Sequence, residues 1–370
     1  MFAVALTALL AGTLSMASLA APAGPAAAPE PVDDWTDIVR SSPYWVSQGV
    51  HDNILTIRRW VLTESAYCDE PDRHILFDVR GEFLGWIEDA PTRAATQTLL
   101  NETRARLAAD GRVSAWARGD DGTTGYPFAL ACDQPHVNLD EARARYLGTL
   151  PADRVWGTWD DLVLGTPEDP RPLHEALDYV FRTRQAQGRL ELPEALPRYL
   201  AGQILIESGG QVRAHSIAGA RGILQLLPAA LDDCGVPVAS HWHRMAQIDC
   251  ALKLMHQNAR NLRPAFEERF GGLPADKRDR LFTLLLIQAY HGGLGRITSL
   301  LSDDNLARPA RYFARYHERF SAGDIAFGLI FHNLGRDRFG LASLYYVADV
   351  QLATAALCNS PRLRGSDFCR

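Results

Sequence analysis

From residue 173 onward, apolar positions recur at three- and four-residue intervals, and the runs are separated by Gly-rich breaks. In the stretch 193–208, Leu196, Tyr199, Leu200 and Ile204 are spaced as on one side of a helix. The same reading predicts helices over 174–187, 194–208, 222–232, 243–261, 278–290, 306–320 and 342–357. Before a Pro-rich, charged boundary at 166–171 the pattern changes. Residues 54–57 (Ile-Leu-Thr-Ile) and 74–79 read as short strands, and 82–87 is placed to pair with the second across Arg80-Gly81. Residues 92–109 have helical composition, with Leu99, Leu100, Thr103 and Leu107 to one side. Further strands are expected at 113–117 and 126–132, around a turn at 119–122. The expected fold is a mainly α domain over 173–357, preceded by a smaller α+β module over 33–165 and followed by a tail, 358–370. At 370 residues the chain is long enough for both.

Composition is that of an ordinary globular protein, and the net charge of −6 argues against a broad nucleic-acid-binding surface. No charged residue precedes Glu30. Residues 1–20 read as a secretory signal with Ser18-Leu19-Ala20 as its cleavage site, although a basic leader is missing. The rival reading is an uncleaved anchor. Thr7, Gly12, Thr13, Ser15 and Ser18 dilute the hydrophobicity and argue against it, so no membrane span is expected after cleavage. Residues 21–32 are Pro/Ala-rich and read as a linker. Six cysteines, Cys68, Cys132, Cys234, Cys250, Cys358 and Cys369, form no CxxC pair. An even count behind an export signal suggests disulfides, with neighbours paired as the simplest arrangement: Cys68–Cys132, Cys234–Cys250 and Cys358–Cys369. Free buried cysteines are the alternative. Together these features lead us to expect an exported, periplasmic protein.

The chemistry centres on Glu207. It lies where an apolar helix is stopped by Gly209-Gly210, beside Leu205 and Ile206. The negative end of the helix dipole and an apolar wall both disfavour the ionised carboxylate. A Glu held protonated near neutral pH is suited to general-acid work. The bland reading is a solvated Glu in a last helical turn. His241-Trp242-His243 has no evident third metal ligand nearby, and Asp232-Asp233 reads as a solvated helix end. No nucleophile elbow or phosphate-cradling loop is present in the sequence.

From Glu207 to Pro228 the chain reads ESGGQVRAHSIAGARGILQLLP. This resembles the lysozyme-like catalytic domain of the soluble lytic transglycosylases, whose pattern is E-S-x-F-N-P-x-A-x-S-x-x-G-A-x-G-L-M-Q-L-M-P. Glu207, Ser208, Ala214, Ser216, Gly219, Ala220, Gly222, Gln225, Leu226 and Pro228 match without a gap. Ala289-Tyr290-His291-Gly292-Gly293-Leu294-Gly295 echoes the family's A-Y-N-A-G-x-G, and the run from Ala246 to Met255 fits its intervening helix. The resemblance covers roughly 173–357. Gly210, Gln211 and Val212 depart from F-N-P, Leu224 and Leu227 replace methionines, and His291 stands where the family has Asn.

The resemblance implies an α-rich lysozyme-like fold and peptidoglycan strands as substrate. Glu207 would protonate the glycosidic oxygen between N-acetylmuramic acid and N-acetylglucosamine. It would then act as base on the muramoyl C6 hydroxyl, which closes a 1,6-anhydro ring without metal, cofactor or water. Ser216, Gln225, Tyr290 and His291 would line the groove, and Tyr346 would return an aromatic residue to the site. Turn, helix-face and core roles compete for these residues. Two other functions stay open: a lysozyme-type hydrolase with a second carboxylate, and a wall-binding or assembly protein without turnover. The N-terminal module leaves room for a protein partner.

Overall fold

A computed structural model describes residues 40, 42–63, 73–77, 82–112, 128–131 and 137–369. The expected signal and linker (1–32), Arg80-Gly81, the strand at 113–117, the turn at 119–122 and the Cys68–Cys132 pairing lie outside the described residues. The fold is mainly helical. In chain order come α1 (Val50–Thr63), strands β1 (Arg73–Phe77) and β2 (Phe83–Glu88), α2 (Arg93–Ala109), β3 (Phe128–Ala131) and α3 (Leu139–Tyr146). A short hairpin, β4 (Gly157–Trp159) and β5 (Leu162–Leu164), leads into α4 (Leu173–Ala186), α5 (Leu196–Ser208) and α6 (Pro228–Asp233). The remainder is α7 (Arg244–Phe270), α8 (Ala275–Gly292), α9 (Leu294–Ser302), α10 (Arg308–Arg315), α11 (Ala322–Phe331) and α12 (Leu341–Cys358).

β1 pairs antiparallel with both neighbours in the order β2-β1-β3, with Ile75 opposite Trp86 on one side and Leu130 on the other. This agrees with the expected pairing of 74–79 and 82–87. The strand expected at 54–57 is instead part of α1. Val50, Ile54, Ile57 and Val61 are all buried, at spacings of four, three and four residues. That stripe outweighs the β propensity of a four-residue run. The helix expected over 222–232 begins only at Pro228, because Gly222 and Gln225 have positive φ and Pro228 opens the helical turn. The element expected at 306–320 is α10 followed by a 3-10 turn, His317–Arg319. α11 gives no periodic signal because all ten of its residues are buried.

The core does not divide at the Pro-rich boundary. Residues of α1 and α3 belong to the same buried cluster as those of α4–α12, whereas Leu76, Ile87, Leu100 and Leu107 form a small separate cluster between the sheet and α2. α1 packs on α11 and α12. Arg58 of α1 donates from Nε and Nη2 to the two carboxylate oxygens of Asp349 of α12, at 2.6 and 2.8 Å, and both side chains are buried. The same guanidinium lies 5.0 Å from the Tyr345 ring centre. α12 has the length and hydropathy of a membrane span, yet most of it is buried within the protein. α5 packs closely on α12 at Gly202, where a Cβ would collide with Thr354 Oγ1 and the Val350 carbonyl.

The hairpin is pinned by a buried ionic cluster. Arg184 of α4, fully buried, donates from Nε to Asp249 of α7 at 2.8 Å and also pairs with Asp160 and Asp161. Trp159 donates to the same Asp249 carboxylate at 3.0 Å, and Lys253 lies 2.8 Å from it. The Arg184 guanidinium holds Asp161 down to about 2, from an ordinary 3.8. A depressed carboxylate contributes stability above its unfolded value and loses it as pH falls through the folded one. Thermal melting followed by circular dichroism is therefore expected to decline as pH drops from about 4 towards 2. A flat melting temperature across that window would contradict the ionic role. The two remaining expected disulfides, Cys234–Cys250 and Cys358–Cys369, are both formed, and no described cysteine is free.

Candidate active site at the end of helix α5

α5 ends in a tight left-handed turn. Gly209 has φ 60°, and the N–H groups of Gly209 and Gly210 return to the carbonyls of Leu205 and Ile204. Arg145 of α3 donates to the Gly209 carbonyl at 3.2 Å, which sets a cation at the negative end of the helix. Ser208 ties the turn to the loop beyond: its hydroxyl donates to the Ile223 carbonyl at 2.8 Å and accepts from Gly210 N–H at 3.1 Å. Gly222, with φ 71°, leaves no room for a Cβ against the Gln247 amide. That amide in turn accepts from Leu224 N–H at 3.3 Å. The loop after Glu207 is thus fastened to both α5 and α7.

Within this frame Glu207 is half-buried. Burial pushes its carboxyl above the usual range, and a hydrogen bond from Tyr346 partly opposes the rise. The Tyr346 hydroxyl donates to Glu207 Oε1 at 2.6 Å and accepts from Gln203 Nε2 at 3.0 Å. Gln203 sits one turn before Glu207, so α5 supplies both ends of a chain whose middle comes from α12. The tyrosine engages one carboxyl oxygen and leaves Oε2 for the proton. The imidazole of His291 stacks on the Tyr346 ring, with centroids 4.2 Å apart and planes 17° apart. His291 is exposed on its outer side, and desolvation of the stacked ring, assisted by the nearby Arg296 charge, lowers its pKa. Tyr290 donates to the Leu224 carbonyl at 2.6 Å, and burial raises its phenol well above 10.0, with the Glu207 charge adding to the rise.

Of the six residues expected at the site, four converge: Glu207, Tyr346, His291 and Tyr290. The other two hold turns. Ser216 Oγ accepts from Ala220 N–H at 3.0 Å, and Gln225 donates to the Gly222 carbonyl at 2.9 Å. Neither side chain bonds Glu207. His241 and His243 are used separately. Arg221 approaches His241 Nδ1 at 2.7 Å, while His243 Nδ1 accepts from Ala246 N–H at the start of α7. Asp232 lies 3.6 Å from His241, and the charges that act on Glu207 among the described residues include no second carboxylate.

Sequence reasoning missed Gln203 and Arg145. A glutamine inside an apolar helix is a signal in itself, because a fully buried amide needs a partner. Arg145 carries no comparable signal.

No protein-family model matches the chain, and no curated protein matches it.

Tyr346→Phe removes the hydroxyl that fixes Glu207. A hydrogen bond to a charged partner contributes about 1.5–3 kcal/mol, so under the acid role proposed below turnover is expected to fall by roughly 10- to 100-fold. Because the Tyr346 bond pulls the Glu207 pKa down, its loss should also move the alkaline limb of the pH–rate profile upward. An unchanged profile would mean that the contact does not govern the acid.

Proposed function

We propose that this chain is a peptidoglycan lytic transglycosylase, with the lysozyme-like fold over 173–357 that the resemblance implies, exported to the periplasm. The observation that carries the reading is the contact between Glu207 and Tyr346. A motif glutamate at a helix end has its carboxyl raised by burial and is oriented by the aromatic residue the resemblance assigns to it. Protonated Glu207 donates to the glycosidic oxygen, and the C1–O4 bond breaks as the muramoyl N-acetyl oxygen stabilises the oxocarbenium-like centre. Glu207, now ionised, takes the proton of the C6 hydroxyl, and O6 closes on C1 to give the 1,6-anhydro end. On this reading one carboxyl serves both steps. On this reading α1 and α3 are part of the catalytic body, since both share its core and Arg145 reaches the site turn.

The test is mass spectrometry of muropeptides released from purified sacculi. Anhydromuramoyl ends are expected. Reducing ends, heavier by one water, would indicate hydrolysis, and release of neither with retained sacculus binding would indicate a non-catalytic wall protein.

A further inference from the structure

A cavity of about 740 Å³ opens between the segment leading into α5, the middle of α7 and the first half of α8. Its lining has three arginines and four carboxylates, so it presents both signs of charge rather than one. Among the described residues, Arg263, Arg280, Glu191 and Asp276 make no ion pair. Between them Leu192, Pro193, Tyr199 and Phe282 supply apolar wall. The Arg263 guanidinium lies over the buried Phe282 ring, 4.8 Å from its centre; a guanidinium so placed can still meet a carboxylate through its N–H groups. The Glu191 backbone is anchored to α7 by its N–H, which donates to His256 Nδ1 at 3.0 Å. A volume in the range of small-ligand pockets, apolar walls and separate cationic and anionic anchors describe a receptor for a zwitterion. They suit a neutral sugar poorly.

The cavity and the acid share two helices. Tyr199 lines the cavity and Glu207 closes the same helix eight residues later, about 12 Å of helical rise. On α8, Phe282 lines the cavity and Tyr290 stands beside the acid, again eight residues on.

We propose that this cavity binds a short peptide carrying free carboxylates and an ammonium group, the chemistry of the stems borne by peptidoglycan; the choice of stem peptide rests on the function proposed above. Arg263 and Arg280 would take the carboxylates, and Glu191 and Asp276 the ammonium.

The probe is the tripeptide L-alanyl-γ-D-glutamyl-meso-diaminopimelate, titrated calorimetrically into the full chain. Saturable one-to-one binding is expected, equal in the Glu207→Gln protein. Arg263→Ala with Arg280→Ala, both at exposed positions, should weaken it at least tenfold, and Asp276→Asn should weaken it with the fold unchanged by circular dichroism. The same peptide with both amines acetylated and its carboxylates amidated should bind at least tenfold less tightly. Absence of saturation, indifference to the arginine pair or equal binding of the blocked peptide would overturn the proposal. Binding is read without turnover. A chain that binds the peptide but releases no anhydromuramoyl ends would refute the enzymatic reading and leave the peptide site standing.

Discussion

Glu207→Gln is expected to lower the release of anhydromuramoyl products by roughly a thousandfold or more, since general acid–base catalysis alone contributes about 10²–10⁴ and this side chain would serve in both steps. Gln keeps the shape and can still accept from the Tyr346 hydroxyl, so the site should stay assembled. The substitution carries a second, opposite signature. Burial raises the Glu207 pKa from an ordinary 4.5. A carboxyl whose folded pKa exceeds its unfolded one makes the protein lose stability as pH rises between those values. Below the unfolded value both proteins are neutral at 207 and should melt alike. Above the folded value the wild type carries a poorly solvated charge that the amide lacks, so the variant should melt at a higher temperature. Melting curves at pH 4 and pH 8, run beside the product assay, check both. Equal turnover in the two proteins would remove Glu207 from the chemistry, and a variant less stable at pH 8 would contradict the buried acid.

Asp349→Ala is expected to cost about 3–5 kcal/mol of stability, the usual loss when one partner of a buried ion pair is removed. Arg58 would be left buried with no counter-ion, 5.0 Å from the Tyr345 ring and far from water. The effect should reach the active site, because Asp349 lies one turn beyond Tyr346 on the same helix. Urea denaturation gives the size. Replacing both partners, Arg58→Met with Asp349→Leu, should recover most of the loss, since two apolar side chains need no pairing. A single variant within about 1 kcal/mol of wild type would mean that the pair is solvated, contrary to its burial.

That Glu207 and Tyr346 meet could be expected from the sequence because each stands in a short local pattern that survives without knowledge of the fold. The apolar spacing before Glu207 and the glycines after it describe a helix and its stop, and the structure has both. Three of the five described strands, β1, β2 and β3, overlap runs expected to be strands, and β4 and β5 were not expected. The hairpin at 157–164 consists of two three-residue strands, too brief to alternate visibly. The strand expected at 54–57 is helical because the buried stripe of α1 spans twelve residues, 50–61, whereas the run Ile-Leu-Thr-Ile spans four. Ser216 and Gln225 sit in register with a catalytic motif yet spend their polar atoms on the loop's own backbone. A motif records which residue types a loop contains and leaves open whether they serve the loop or a ligand. The Arg58–Asp349 pair joins positions 291 residues apart and has no trace in any window of sequence.

Asp349 sits at the midpoint of α12, a helix apolar enough for a bilayer. Before the chain has folded, Arg58 is not yet in place to neutralise it. An aspartate at the centre of a candidate span raises the free energy of lateral entry into lipid by about 3 kcal/mol. The carboxylate that locks the helix into the finished core is also what discourages the nascent segment from partitioning into a membrane on the way there. Its removal would then do harm twice, once by loosening the native protein and once by giving the newly made chain a competing destination.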